Sequence, residues 1–156
     1  MKIELKSCRP AHNLSQETLA FTAAIWIDGK RAGEVSNHGM GGPNEYYFKD
    51  RDLEQRFYDH CKSLPPDPVP DDAPAWQAEL GPLPMNADML VGRLCDQLEH
   101  EKWVKRNTKS KILFRVQGDS TESYRTIRVT AANRQAATTH LVQKYGDKIV
   151  EMLGGA

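Results

Sequence analysis

No stretch of this chain approaches the roughly 20 consecutive apolar residues that cross a bilayer, so no membrane span is expected. The opening residues MKIELKSCRP hold no apolar core of the kind a secretory signal needs, and no leader is expected. Three cysteines, Cys8, Cys61 and Cys95, are an odd number without CxxC spacing. That fits reduced thiols in a cytoplasm better than a disulfide framework. A GxSxG elbow, HExxH, a Walker A loop, a dinucleotide fingerprint and zinc-finger spacing are all missing. No cofactor or metal is therefore expected, and an enzyme is a weaker expectation than a binding protein. His12 near Cys8 is a conceivable metal pair, for which an exposed loop histidine is the plainer reading, and the spacing of the three cysteines and five histidines implies no Cys/His site.

What is present begins at Phe21. Phe21, Ala23, Ile25 and Ile27 alternate with Thr22, Ala24 and Trp26, the period of a strand. Asp28-Gly29 supplies the two positive φ values of a type I′ turn, so a return strand runs from Lys30 to Ser36. That register sets Ile25 opposite Ala32, Ala24 opposite Gly33 and Trp26 opposite Arg31, with a Trp26–Arg31 cation–π pair as one reading. Residues 37–44 follow with three glycines in four positions. Asn37, His38, Gly39, Gly41, Gly42 and Asn44 form a candidate anion-binding nest, from which a nucleotide site or a catalytic site could be built. The alternative is a strand connection whose glycines only turn corners. Tyr46, Tyr47 and Phe48 then mark a short aromatic strand, 45–48.

The rest reads in order. A first strand covers 2–7, with Ile3 and Leu5 inward. Asp50 or Asp52 caps a helix over 51–63, its stripe Leu53, Phe57 and Cys61. Residues 65–84 hold seven of the nine prolines and form an acidic connector, pinned to the core by Trp76 and Leu80. Asn86 caps a long helix to about Arg106, with Leu90, Leu94 and Leu98 as its apolar stripe, widened by Ala87 and Val91. Strands follow at 111–117 and 124–129, where Arg115, Arg125 and Arg128 share a face if the register permits. A helix capped by Asn133 turns Ala136, Ala137, His140 and Leu141 to the core, and Ile149, Val150 and Leu153 make a last amphipathic turn. The order β-β-β-β-α-α-β-β-α predicts an α+β fold. Its sheet is mostly antiparallel, of about five to six strands, with helices packed on one face. A single domain spans 1–156, interrupted by the connector at about 65–84.

Charge is balanced overall but segregated along the chain. Residues 44–101 hold five Lys/Arg and thirteen Asp/Glu, whereas 102–156 hold eleven and four. Lys102, Trp103, Lys105, Arg106, Lys109 and Arg115 are thus candidates for nucleic-acid binding, with one aromatic for stacking. A solvated helix end leading into a strand is the plainer reading. The aromatics Trp26, Tyr46, Tyr47 and Trp76, with the acidic middle, are candidates for a protein-docking surface.

The segment FTAAIWIDGKRAGEVSNHGMGG and the tail RVQGDSTESYRTIRVTAANRQAATTHLVQKYGDKIVEML carry a resemblance. They are similar to a loosely defined group of small proteins of bacteriophages and other mobile elements. There an FTA–strand–(D/N)GK–G–VSN–G–GG segment precedes an aromatic strand, and a KYGDK-like helix closes the chain. The resemblance covers about sixty residues at the two ends and omits the proline-rich centre. It implies a small cytoplasmic accessory protein, an inhibitor or adaptor acting on a host protein, and it implies no catalytic residue.

Overall fold

The computed structural model describes residues 1–69 and 73–155. Among these described residues seven strands lie in two antiparallel sheets, one of four strands and one of three, with four α-helices, so the α+β class holds. The chain divides into two compact units, Met1–Leu98 and Glu99–Ala156.

In the first unit β1 (Ile3–Pro10), β2 (Phe21–Ile27), β3 (Lys30–Asn37) and β4 (Glu45–Phe48) lie side by side in chain order. The β2–β3 turn has Asp28 at φ 47° and Gly29 at φ 80°, the left-handed pair that the two-residue hairpin requires. Its register differs from the simple ladder. A bulge after Ile25 pairs Ile25 with Gly33 and Ala24 with Glu34, while Trp26 keeps Arg31. The extra residue is Ala32, which is buried. Gly33 cannot carry a side chain, because a Cβ there would stand 2.3 Å from the Tyr47 carbonyl oxygen of β4. A second irregularity between Lys6 and Arg9 bends β1, with Ser7 at φ 55°.

One face of this sheet is the core. Leu5, Cys8, Phe21, Ala23, Ile25, Ile27 and Val35 pack with Phe57 and Cys61 of α1 (Arg51–Ser63) and Ala87, Val91 and Cys95 of α3 (Ala87–Asn107). The Asp50 carboxylate accepts from the Asp52 amide at 3.0 Å and starts α1, and Asn86 accepts from the Met89 amide at 2.9 Å and starts α3. The buried line of α3 is Ala87, Val91 and Cys95, while Leu90, Leu94 and Leu98 flank it half-buried. Ala87 and Val91, which widen the expected leucine stripe, are thus its most buried members, and Cys95 joins them. Tyr46 and Phe48 point inward against Phe57, with ring centroids 5.8 and 5.1 Å away. The proline-rich segment belongs to this unit and contains α2 (Ala75–Leu80).

In the second unit β5 (Lys111–Val116) lies between β6 (Arg125–Arg128) and β7 (Ile149–Leu153). Ile112, Phe114 and Val116 pack with Val129 and with Leu141 of α4 (Arg134–Tyr145). Three expectations change here. Residues 149–153 are a strand, because β5 offers them a free edge that no local pattern announces. Ala137, Leu141 and Tyr145 form the core face of α4, leaving Ala136 and His140 exposed. Arg125 pairs with Phe114 and Arg128 with Lys111, so Arg128 shares the face of Arg115 and Arg125 lies on the other.

Candidate functional site

The glycine-rich loop is built around Asn37, which is only 8% exposed. Its Oδ1 accepts from the Gly39 amide and the Thr18 hydroxyl, both at 2.8 Å. Its Nδ2 donates to the Gly42 carbonyl and to Asn44 Oδ1, both at 3.0 Å. Two bonds accepted and two donated use the full capacity of a carboxamide. The Gly39 carbonyl in turn receives the amides of Gln16 and Glu17 at 2.9 and 3.0 Å, and that of Thr18 at 3.4 Å. A cradle of successive N–H groups therefore does exist, on residues 16–18, and the chain's own carbonyl fills it. Gly39 has φ 80°, and a Cβ there would meet the Leu14 carbonyl oxygen at 2.6 Å. His38 is exposed, its Nε2 3.5 Å from a Glu45 carboxylate oxygen. Through Asn37, Gly39 and Gly41 the loop thus clasps residues 14–20, while His38 lies outside the clasp.

From Asn44 the polar contacts run on toward α3. Its Nδ2 donates to the Tyr46 hydroxyl at 3.3 Å, and that hydroxyl donates to Asp88 at 2.7 Å. Burial and the bond to Asp88 push the Tyr46 hydroxyl far above the ordinary tyrosine range, against a smaller opposing pull from Asn44. It is a fixed donor at neutral pH and cannot serve as a base. A cleft of about 300 Å³ lies beside it, lined by Asn44, Tyr58, Lys62, Asn86 and Asp88.

Another concavity lies on the sheet face turned away from the helices. Alternation puts three cross-strand rows there: Arg9–Thr22–Ser36–Glu45, Lys6–Ala24–Glu34–Tyr47, and Glu4–Trp26–Arg31. Thr22, Ala24 and Ser36 are small and leave a trough of about 520 Å³ walled by Trp26, Tyr47, Lys6, Arg9 and Arg31. The Lys6 ammonium sits 3.8 Å above the Trp26 ring, so the cation on this tryptophan comes from β1 and not from Arg31. Arg31 is bonded to Glu34 instead. Tyr47 is 67% exposed. Of the four aromatics singled out in the sequence, Trp26 and Tyr47 come together here. Tyr46 faces the core side, and Trp76 lies on α2.

The basic candidates of the second unit divide in use. Arg115 is bonded to Glu151 and to the Thr121 carbonyl, and its guanidinium lies 4.7 Å from the Tyr124 ring centroid. Trp103 stacks near His100 and Tyr124, with centroids 6.1 and 5.9 Å away. Lys102, Lys105, Arg106 and Lys109 are exposed. Among the described residues no group of three or more His, Cys, Asp or Glu side chains is placed to hold a metal. His12 is exposed, whereas Cys8 is buried with its sulfur 3.8 Å from that of Cys95.

Sequence reasoning missed Lys6, Arg9 and Asp88. The outward parity of Lys6 was visible in the strand alternation, but its place over Trp26 depends on the β1–β2 register. Asp88 was hidden in the first turn of a helix, where an acid is ordinary. Compared with family models, curated proteins and solved structures, the chain matches none.

Proposed function

We propose that this chain is a non-enzymatic binding protein that engages a protein partner through the open face of its four-stranded sheet. The trough walled by Trp26, Tyr47, Lys6, Arg9 and Arg31 carries the reading. Tryptophan, tyrosine and arginine are the side chains that dominate binding energy at protein interfaces. A small-residue floor between two aromatic walls accepts an inserted side chain. The charges on this face are of mixed sign and largely set against each other: Arg31 with Glu34 and Lys2 with Glu4. That balance suits a protein surface, presenting acidic groups to Lys6 and Arg9, better than a polyanion. The resemblance to accessory proteins of mobile elements adds a context, in which the chain inhibits or adapts a host protein in the cytoplasm.

The test compares the parent chain with the Trp26→Ala/Tyr47→Ala variant as baits in a nuclease-treated bacterial lysate, after circular dichroism confirms equal folding. A protein retained in stoichiometric amount by the parent and lost with the variant supports the reading. Equal recovery by the two baits, including none by either, overturns it.

A second reading has one observation of its own. The second unit holds eleven Lys/Arg against six Asp/Glu, and Lys105, Arg106 and Lys109 are exposed. Nucleic-acid binding there would show a steep loss of affinity with salt for a fluorescent oligonucleotide, and flatter dependence in a Lys105→Ala/Arg106→Ala/Lys109→Ala variant. The small-anion or catalytic reading of the glycine loop gains no support from the inward bonding of Asn37 and Gly39.

A further inference from the structure

Between Lys6 and Arg9 the first strand advances three residues while its neighbour advances two, from Ala24 to Thr22. Strict alternation would send residues three apart to opposite faces of the sheet. The bulge instead sets both cations on the open face, in neighbouring rows, and turns Cys8 into the core. It is held at the cost of a left-handed Ser7, at φ 55°. Non-glycine residues strained in this way cluster at ligand clamps and active sites.

Beside the two cations stand two hydroxyls. Arg9, Thr22 and Ser36 follow one another across β1, β2 and β3, each about 5 Å from the next, and Lys6 stands one row away. All four line the trough. Among the described residues neither Lys6 nor Arg9 is ion-paired, and neither hydroxyl has a hydrogen-bond partner. Lys6 lies over the Trp26 ring, which leaves its charge unneutralised. Of the nearby carboxylates, Glu34 is taken by Arg31, and Glu45 at the end of the row lies outside the trough. One end of the trough therefore offers a guanidinium fork, an ammonium and two hydroxyls to a single ligand group. A phosphate monoester matches that set, with a charge of about −1.5 to −2 and three strong acceptor oxygens. A carboxylate brings one charge and two oxygens, and leaves part of the set unanswered.

We infer that Lys6, Arg9, Thr22 and Ser36 form a subsite for a phosphate monoester on a side chain of the partner, with Trp26 and Tyr47 beside it for the apolar part of that side chain. That the ligand belongs to a protein rests on the sheet-face reading, and the chemistry of the group it presents goes beyond it.

The experiment titrates the full isotope-labelled chain with phenyl phosphate, and separately with phenylacetate, at neutral pH and constant ionic strength. The amide resonances of Arg9, Thr22 and Ser36 should shift saturably with phenyl phosphate, in the millimolar range. Phenylacetate should bind about fivefold more weakly or worse. Thr22→Val/Ser36→Ala and Arg9→Gln should each weaken phenyl phosphate about tenfold. The rest of the spectrum should stay unchanged, since all three side chains are at least partly exposed. In capture from nuclease-treated bacterial lysate, the protein that the parent retains should be lost once the lysate is treated with phosphatase. No saturable shift, equal affinity for phenylacetate, or undiminished affinity in both variants overturns the subsite. So does a protein that the parent and Thr22→Val/Ser36→Ala retain alike, with or without phosphatase, and that Trp26→Ala/Tyr47→Ala loses; the sheet-face reading then stands without the subsite. Saturable phenyl phosphate binding with no protein captured does the reverse, supporting the subsite and removing the sheet-face reading.

Discussion

The Tyr46 hydroxyl donates a 2.7 Å hydrogen bond to the Asp88 carboxylate and so ties β4 to the first turn of α3, 42 residues further on. Replacing Tyr46 with Phe keeps the ring packing on Phe57 and removes only the donor. The expected cost is about 1–3 kcal/mol, since a half-buried carboxylate loses its partner, and urea denaturation at neutral pH measures it.

The same bond has an alkaline signature. The folded protein holds the Tyr46 proton more tightly than the unfolded chain does. Its contribution is fully present below the unfolded tyrosine value of about 10 and declines above it. Parent protein should therefore lose stability above that pH more steeply than Tyr46→Phe. Parallel slopes in denaturation midpoints above pH 10 would count against this account.

Gly39 and Gly42 should behave oppositely although they belong to one loop. Gly39→Ala forces a Cβ against the Leu14 carbonyl at a positive φ, with an expected loss of about 2 kcal/mol or more. Gly42 has an ordinary φ, and a methyl group there would meet nothing within 4 Å, so Gly42→Ala should stay within about 0.5 kcal/mol. Thermal melts of the two variants separate a structural clasp from a uniformly flexible loop.

Acid should act on the second unit through Glu151. The hydrogen bond from Arg115 holds this carboxyl below its usual range, against some desolvation and with help from Tyr124. A depressed carboxylate stabilises the fold above its unfolded value of about 4.3 and loses that contribution as pH falls through the folded value. Glu151→Gln should be less stable than the parent at neutral pH, and the two should converge in acid. A difference that persists unchanged to low pH refutes the ion pair as its source.

Burial pushes the Cys61 thiol up to about 11, and Cys8 and Cys95 are buried as well. All three should resist iodoacetamide in native protein at neutral pH and react fully in denaturant. Mass spectrometry before and after unfolding reads this directly.

Much of the fold was legible because its signals are local. Asp28-Gly29 announces the hairpin, Asp50 and Asn86 announce two helices, and the alternation from Phe21 to Ile27 names the buried face. What escaped was non-local. The bulge that displaces Ala32 reflects the fit of β2 on β3, and β7 depends on β5, which lies some 35 residues earlier at Arg115 opposite Glu151. Trp76 and Leu80 were expected against the core because their spacing is helical. The spacing was right, but it does not say which side of a short helix meets protein. At the open sheet face Trp26 and Tyr47 were readable as candidates, whereas their convergence with Lys6 and Arg9 needed three registers at once.

The bend in β1 at Ser7 has a bearing on what the sheet can exclude. β1 is an outer strand, and a straight outer strand is a template on which foreign strands can zip. The left-handed Ser7 interrupts that row partway along, and Pro10 at its end offers no N–H at all. Edge-to-edge pairing with foreign strands is thereby discouraged along this border. Trp26 and Tyr47 stand on the open face of that same sheet, beside an outer strand whose row of backbone groups is broken.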